Sequence, residues 1–345
     1  MAPPHRIGLV LGAGGVVGHA YHAGVLDGLA AATGWDPREA EVIVGTSAGS
    51  LVGALLRSGF SARDLAARLT GEALSPEGAE LLDRSERAGV SARLPSRPPG
   101  RRGLMASPSL LVRAALRPFW MNRPGVMLAG ALPAGAVPTE LVAAPLRPLF
   151  GADWPDRDLW LTAVGLRDGR RIVFGRDGAP AAHVADAVSA SCAIPSFFAP
   201  VTIGGVTYVD GGAHSPTNAD VLADRELDLV LVSSPMSVAG NRLRPSLDLP
   251  ARRMCRFYLG QEAARIRRRG VPVLTFQPTG DDLKVMGMNA MDPARRKPVT
   301  EQARQSARKK LERQDVGASL RIFTAVQGRA DRGRRRRLPV EVRRR

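Results

Sequence analysis

Two glycine-broken junctions near the start of the chain do most to restrict its fold. In the first, the apolar run Ile7 to Leu11 enters the loop GAGGVVG, Gly12 to Gly18, and continues as a helical pattern. In the second, the β-branched run Glu41 to Thr46 passes through GTSAG, Gly45 to Gly49, into the pattern Ala48 to Arg57. A strand that feeds a helix through a short glycine turn is the building unit of a parallel α/β sheet. Further apolar runs bounded by glycine fall at Leu159 to Leu166, Arg171 to Phe174, Val206 to Val209, Leu227 to Val232 and Val271 to Phe276, and read as strands. Helical periodicity lies at Gly18 to Ala32, Ala62 to Thr70, His183 to Ser191, Asn218 to Arg225, Leu249 to Arg269 and Val299 to Arg313. The expected fold class is therefore α/β, with a mainly parallel central sheet covered by helices on both faces.

The alternation stops between about Gly71 and Asp158, where Pro, Gly and Arg are dense; this stretch reads as an insertion or lid. Within it, Pro108 to Met121 carries Arg113 and Arg117 among Leu110, Leu111, Phe119 and Trp120, a pattern open to two readings: an interfacial helix or a surface helix packed on the core. Residues 1–327 are expected to form one catalytic domain, and 328–345, GRADRGRRRRLPVEVRRR, a basic and disordered tail. With 345 residues, 44% of them hydrophobic, the chain has material for a large core. No apolar run reaches the roughly 18 residues that cross a bilayer, and no leader pattern opens the sequence, so a cytoplasmic protein is expected. Cys192 and Cys255 have no metal-ligand spacing and read as buried thiols.

A net charge of +17 attracts phosphate, whether on lipid or on nucleic acid. The charge gathers at Arg265 to Arg269 and Arg332 to Arg345, without interleaved aromatics, which argues against nucleic acid and for peripheral contact with an anionic membrane.

Three places carry chemistry. Ser47 stands in GxSxG between a strand and a helix, where the turn exposes a hydroxyl beside the free N–H groups of the new helix; the plain alternative is a capping serine. In the first glycine loop, the N–H groups of Gly14, Gly15 and Val16 can converge on an oxyanion. The competing reading of Gly12, Gly14 and Gly18 is a dinucleotide loop, but that wants an acidic residue closing the next strand, where Gly45, Thr46 and Ser47 stand. Asp210 ends a strand before Gly211 and Gly212, as a base for Ser47 or as an ordinary Asp-Gly turn. The only histidine after Asp210 is His214 and the elbow follows only the second strand, which disfavours a Ser-His-Asp triad. His19, His22 and His183 read as solvated or satisfied side chains.

These residues resemble a known family. Gly12 to Gly18 with HAYHAGVL, GTSAGS around Ser47, SASCAIPSFFAPV from Ser189 to Val201, and VDGGAHSPTNAD around Asp210 look like the four blocks of bacterial patatin-like phospholipases. The resemblance implies a three-layer α/β/α fold and hydrolysis of acyl esters of lipids by a Ser47–Asp210 dyad, with neither metal nor cofactor. It also implies Gly14 and Gly15 as oxyanion donors, with Ala48 as a helper, and motif roles for Gly12, Gly18, Gly45, Gly49, Gly211 and Gly212. The sequence departs from the family at Val17, where Arg or Lys is usual. A lost cation leaves phospholipid preference less determined than ester hydrolysis, and leaves room for a catalytically weak lipid-binding protein as the alternative.

Overall fold

The computed structural model describes residues 6–87, 101–102, 106–115, 123–240 and 246–313. The basic tail and positions 116–121 of the arginine-bearing helical pattern lie outside the described residues.

Eight strands form the central sheet: β1 (Ile7–Leu11), β2 (Val42–Thr46), β5 (Asp158–Gly165), β6 (Arg171–Phe174), β7 (Val201–Ile203), β8 (Val206–Asp210), β9 (Leu229–Ser233) and β10 (Val273–Phe276). They lie in the order β10-β9-β1-β2-β5-β8-β7, with β6 also on β5. A separate ribbon pairs β3 (Arg101–Arg102) with β4 (Ala134–Gly135). The five strands from β10 to β5 run parallel, so their carboxyl ends share one edge. β6 and β8 pair antiparallel with β5, and β7 with β8.

Strand alternation explains why helices cover both faces. Leu9, Leu11, Ile43, Leu159, Leu161 and Leu231 project to one side. There they meet α1 (Gly15–Thr33), α2 (Ala48–Arg57), α3 (Ala62–Thr70), α8 (Val184–Ser191) and α11 (Arg296–Leu311). Val10, Val42, Val44, Trp160, Val230 and Val232 project to the other, beneath α9 (Leu249–Arg267) and the short turn Ala219–Leu222. Each such side chain contributes about 1.5–3 kcal/mol when fully buried, and here both sides of the strands are buried.

The docking of α11 on α1 depends on two small residues. A β-carbon at Gly24 would overlap the Thr300 carbonyl oxygen, and one at Gly28 would lie 2.6 Å from that of Arg304. The two helices therefore meet backbone to backbone.

The stretch from 71 to 158 contains α4 (Pro76–Glu86), α5 (Pro108–Ala115), α6 (Pro124–Ala131) and α7 (Glu140–Ala143). Its last part joins the main core, since Val142, Ala143, Leu146 and Leu149 pack there. Leu110 on α5 is buried against Val126, Ala129 and Val164, which fits a packed helix for the described half of that pattern. One expected helix is absent: in place of Asn218 to Arg225 there is only the 3-10 turn Ala219–Leu222. The reason is Asn218, whose backbone is left-handed (φ 51°) and whose side chain is used elsewhere. Among the described residues no helix is long and apolar enough to cross a membrane. Cys192 and Cys255 are both buried and free.

Candidate active site

Ser47 sits between the end of β2 and the start of α2 with φ 54° and ψ −121°, a conformation that costs a residue with a side chain about 1–3 kcal/mol. Its surroundings enforce that geometry. A β-carbon at Gly45 would stand 2.5 Å from Cα of Ser50, and one at Gly49 would overlap the carbonyl of Leu11. The flanking glycines thus provide room for α2 to lie against β1 and β2, while Ser47 itself carries the positive φ. Its N–H donates to Ser191 Oγ at 2.9 Å, and its carbonyl accepts from Ser50 Oγ at 2.6 Å and Cys192 Sγ at 3.2 Å. Burial and the nearby charge of Asp210 push the Cys192 thiol up to about 12, so it donates as a neutral S–H.

Asp210 reaches the same place by strand register. Thr46 pairs with Thr162 on β5, and the next β5 residue, Ala163, pairs with Asp210 on β8. Ser47 and Asp210 therefore flank one position of β5 from either side. Both are buried, and the Ser47 hydroxyl lies near enough to the Asp210 carboxylate to favour its charged form. Burial raises the Asp210 carboxyl to about 7, against the opposing pull of the Ser47 hydroxyl and of the Gly212 N–H, which donates to Oδ1 at 2.7 Å. Gly211 is held against Thr162, whose carbonyl leaves no space for a β-carbon.

Asn218 ties the two turns together. Its Nδ2 lies 3.1 Å from Thr46 Oγ1, 3.2 Å from Thr162 Oγ1, 3.3 Å from the Gly211 carbonyl and 2.6 Å from that of Ser215. It is fully buried, so these contacts replace water for the ends of β2 and β5 and for the turn after Asp210.

The first glycine loop packs beside Ser47. Among the described residues, the N–H groups of Gly14, Gly15, Val16 and Ala48 have no hydrogen-bond partner, whereas that of Val17 donates to the Ala290 carbonyl at 2.9 Å and that of Gly18 to Gly14 at 2.8 Å. Gly15, Val16 and Ala48 line a cavity of about 340 Å³ together with Ser47. Gly14 does not line it; its turn is packed against Gly18 and Pro235. Gly15 needs to be glycine, for its φ is +61° and a β-carbon would lie 2.8 Å from the Ala290 carbonyl oxygen. The Val17 side chain is buried in the core, 3% exposed. Leu51, Leu55, Leu69, Leu141, Leu146 and Phe198 make much of the cavity wall apolar.

The histidines take other parts. His22 is fully buried; its Nε2–H donates to the Gly12 carbonyl at 2.7 Å, and Nδ1 accepts from Ser233 Oγ at 2.8 Å. Burial lowers it to about 4, and as a neutral ring it fixes the start of the loop. His214 is also lowered to about 4, by burial and then by Arg171, and faces Asn218 Oδ1 at 3.2 Å. His183 caps α8 by accepting from the Ala185 N–H. His19 lies in the cavity wall. Among the described residues no histidine is hydrogen-bonded to Ser47 or Asp210.

Sequence reasoning singled out Ser47, Asp210 and the two glycine loops, which the fold brings close together. It missed Ser191 and Cys192 as the clamp on Ser47, although both stand in the quoted SASC block, and it read Asn218 as a helix start. It also missed His22 as a brace and Arg68 and Arg296 as cavity residues, for which no local pattern exists.

A mainly parallel sheet whose β2 elbow opens on a largely apolar cavity, with a buried carboxylate at the end of β8, is an architecture that suits an α/β lipid acyl hydrolase. The family follows directly: the model of the patatin-like phospholipases matches residues 9–223, and the chain belongs to that family. No curated protein matches it. Among solved structures, the chain is similar to VipD from Legionella pneumophila, at 12% identity and a TM-score of 0.43 over 90% of this chain and 67% of VipD. It is similar to the type III effector protein ExoU, at 20% identity and a TM-score of 0.36 over 90% of this chain and 54% of ExoU. The ExoU of the ExoU–SpcU complex from Pseudomonas aeruginosa gives 19% identity and a TM-score of 0.33, over 90% and 53%. The chain spans about half the length of the ExoU chains it matches.

Proposed function

We propose that this protein hydrolyses fatty-acyl esters of lipids by a Ser47–Asp210 dyad through an acyl-enzyme. The Ser47 oxygen adds to the ester carbonyl as its proton passes to Asp210. Negative charge then forms on the former carbonyl oxygen, where the partnerless N–H groups of Gly15, Val16 and Ala48 meet it at the amino ends of α1 and α2. Collapse expels the alcohol, which takes the proton from Asp210. Water repeats the sequence on the acyl-enzyme: Asp210 accepts its proton, and Ser47 leaves with that proton as the fatty acid departs. A carboxylate near 7 suits this duty, being basic enough to accept a proton and ionised in a large fraction at neutral pH.

The observation that carries this reading is the convergence of two buried groups, Ser47 and Asp210, across one position of β5, with Ser47 opening on a cavity that also holds spare amide donors. A fluorophosphonate probe should label the wild-type protein and leave Ser47→Ala unlabelled, with Asp210→Asn labelled at least about 100-fold more slowly. Equal labelling of Ser47→Ala would overturn the assignment. Binding of the substrate from a membrane surface is part of the proposal, supported by Phe257 (61% exposed) beside Arg253 and Arg256.

A further inference from the structure

The cavity over Ser47 is apolar along most of its wall, yet two guanidinium groups open onto it: Arg68 from α3 and Arg296 from the first position of α11. They are 228 positions apart in sequence and meet only because α11 packs across α1 and α3. Several other arginines of this fold are engaged. Arg171 grips Asp220 at 2.6 Å, Arg252 grips Asp248, Arg304 grips Asp27, and Arg147 bridges Glu140 and Asp186. Among the described residues neither Arg68 nor Arg296 makes a side-chain hydrogen bond or an ion pair. Arg68 lies over the Phe60 ring at 4.9 Å, a contact that leaves its N–H donors unused, and the acid whose charge reaches it is Glu86.

Both side chains reach solvent, so their charge survives without a buried partner, and both face the cavity. His19 stands in the same wall, and desolvation followed by the charges of Arg68 and Arg296 lowers it to about 3. The ring is thus neutral and retains one N–H donor and one acceptor. Two unpaired guanidiniums converging on the mouth of a low-dielectric cavity repel each other and draw an anion between them. The first glycine loop brings no cation here, because Val17 is apolar and turned into the core.

We propose that Arg68 and Arg296 form a headgroup subsite that selects acyl esters carrying a phosphate, with the acyl chain along the leucine-lined wall. This rests on the reading of Ser47 as the nucleophile of the same cavity. Phosphate fits better than carboxylate because a tetrahedral group with up to two negative charges can present oxygens to both guanidiniums at once, whereas a planar carboxylate is matched by one.

The test has a kinetic arm and a binding arm, each on the full chain. The kinetic arm compares kcat/KM for a single-chain phosphate-bearing acyl ester with that for the monoacylglycerol of equal chain length. In Arg68→Gln/Arg296→Gln the preference for the phosphate ester should fall about 10- to 100-fold, mainly through KM, with Arg68→Lys/Arg296→Lys falling less. Arg157→Gln/Arg269→Gln, at the opposite end of the strands, removes the same net charge and should hold the preference within about twofold. An unchanged preference in the cavity variant, or an equal fall in the distant one, would overturn the subsite.

The binding arm titrates hexyl phosphate and hexanol into Ser47→Ala by calorimetry. Hexyl phosphate should bind at least about tenfold more weakly once both arginines are glutamine, and should weaken between about 0.05 and 0.5 M salt while hexanol does not. Salt-insensitive binding would overturn the proposal even if the arginine variants fail to fold. Phosphate binding that obeys these rules in a protein that turns over no ester would sink the hydrolase reading and leave the subsite standing.

Discussion

The turn that presents Ser47 and the turn that presents Asp210 lie on either side of β5 and are held by different physics. Around Ser47 the constraint is steric: Gly45 and Gly49 let backbone touch backbone, and the strained serine is trapped between them. Around Asp210 the constraint is polar: Asn218 gathers Thr46, Thr162 and the carbonyls of Gly211 and Ser215, and the Gly212 N–H holds the carboxylate. A steric clamp fails abruptly, since a clash between backbone atoms has no rotamer that relieves it. A hydrogen-bond network fails by degrees, because each lost partner costs about 1–3 kcal/mol.

The largest effect should come from breaking the steric turn. In Gly49→Val the new side chain collides with the Leu11 carbonyl, between β1 and α2, and a loss of about 5 kcal/mol or more would remove most of the stability of an ordinary domain. Little soluble protein with a cooperative thermal transition is expected. Recovery of a folded and fluorophosphonate-reactive Gly49→Val protein would show that the turn is not clamped in this way.

The polar turn should give a smaller and divisible effect. Asn218→Ala removes the donor that the Thr46–Thr162 hydroxyl pair and the Gly211 and Ser215 carbonyls share, and also puts alanine at φ 51°. A loss of about 2–4 kcal/mol in urea unfolding is expected. Asn218→Gly removes the same hydrogen bonds but fits the backbone, so it should regain about 1 kcal/mol of that loss and no more. If glycine restored most of the stability, the backbone rather than the network would be what Asn218 supplies.

The same contrast explains how much could be read from the sequence. A steric turn is written in the chain as missing side chains, so GTSAG between a strand and a helix points to Ser47 unaided. A polar turn is written in residues scattered over 172 positions, such as Thr46 and Asn218, and hydrogen bonds have no period that a pattern can follow. Asp210 was therefore an ambiguous Asp-Gly pair on local grounds and became specific only by its place among four family blocks. Apolar alternation revealed all but the short β7 of the central sheet's strands, because burial on both faces leaves a continuous β-branched signal. α11 was legible as a helix, but its seat on Gly24 and Gly28, and the meeting of Arg296 with Arg68, depend on packing between distant elements.

A last effect needs no mutation in the steric turn and concerns the proton on Asp210. Its carboxyl holds that proton up to about pH 7 in the folded protein, whereas an unfolded chain releases it near the ordinary value of 3.8. Between those values the folded state binds more protons than the unfolded state, so stability contributed at this site falls as pH rises from about 4 to about 7 and is level above it. Activity should move the opposite way, rising about tenfold per pH unit below 7 and levelling once the carboxylate is formed. Asp210→Asn separates this group from Glu262 and Asp282, whose carboxyls burial also raises. The stability of the wild type relative to Asp210→Asn should decline between pH 4 and 7, then stay constant. Ser191→Ala, which loosens the Ser47 clamp without touching a charge, should lower the rate at every pH and leave the midpoint of the activity limb in place. A midpoint that moved with Ser191, or a stability difference independent of pH, would mean that the two turns do not divide the work between position and proton in this way.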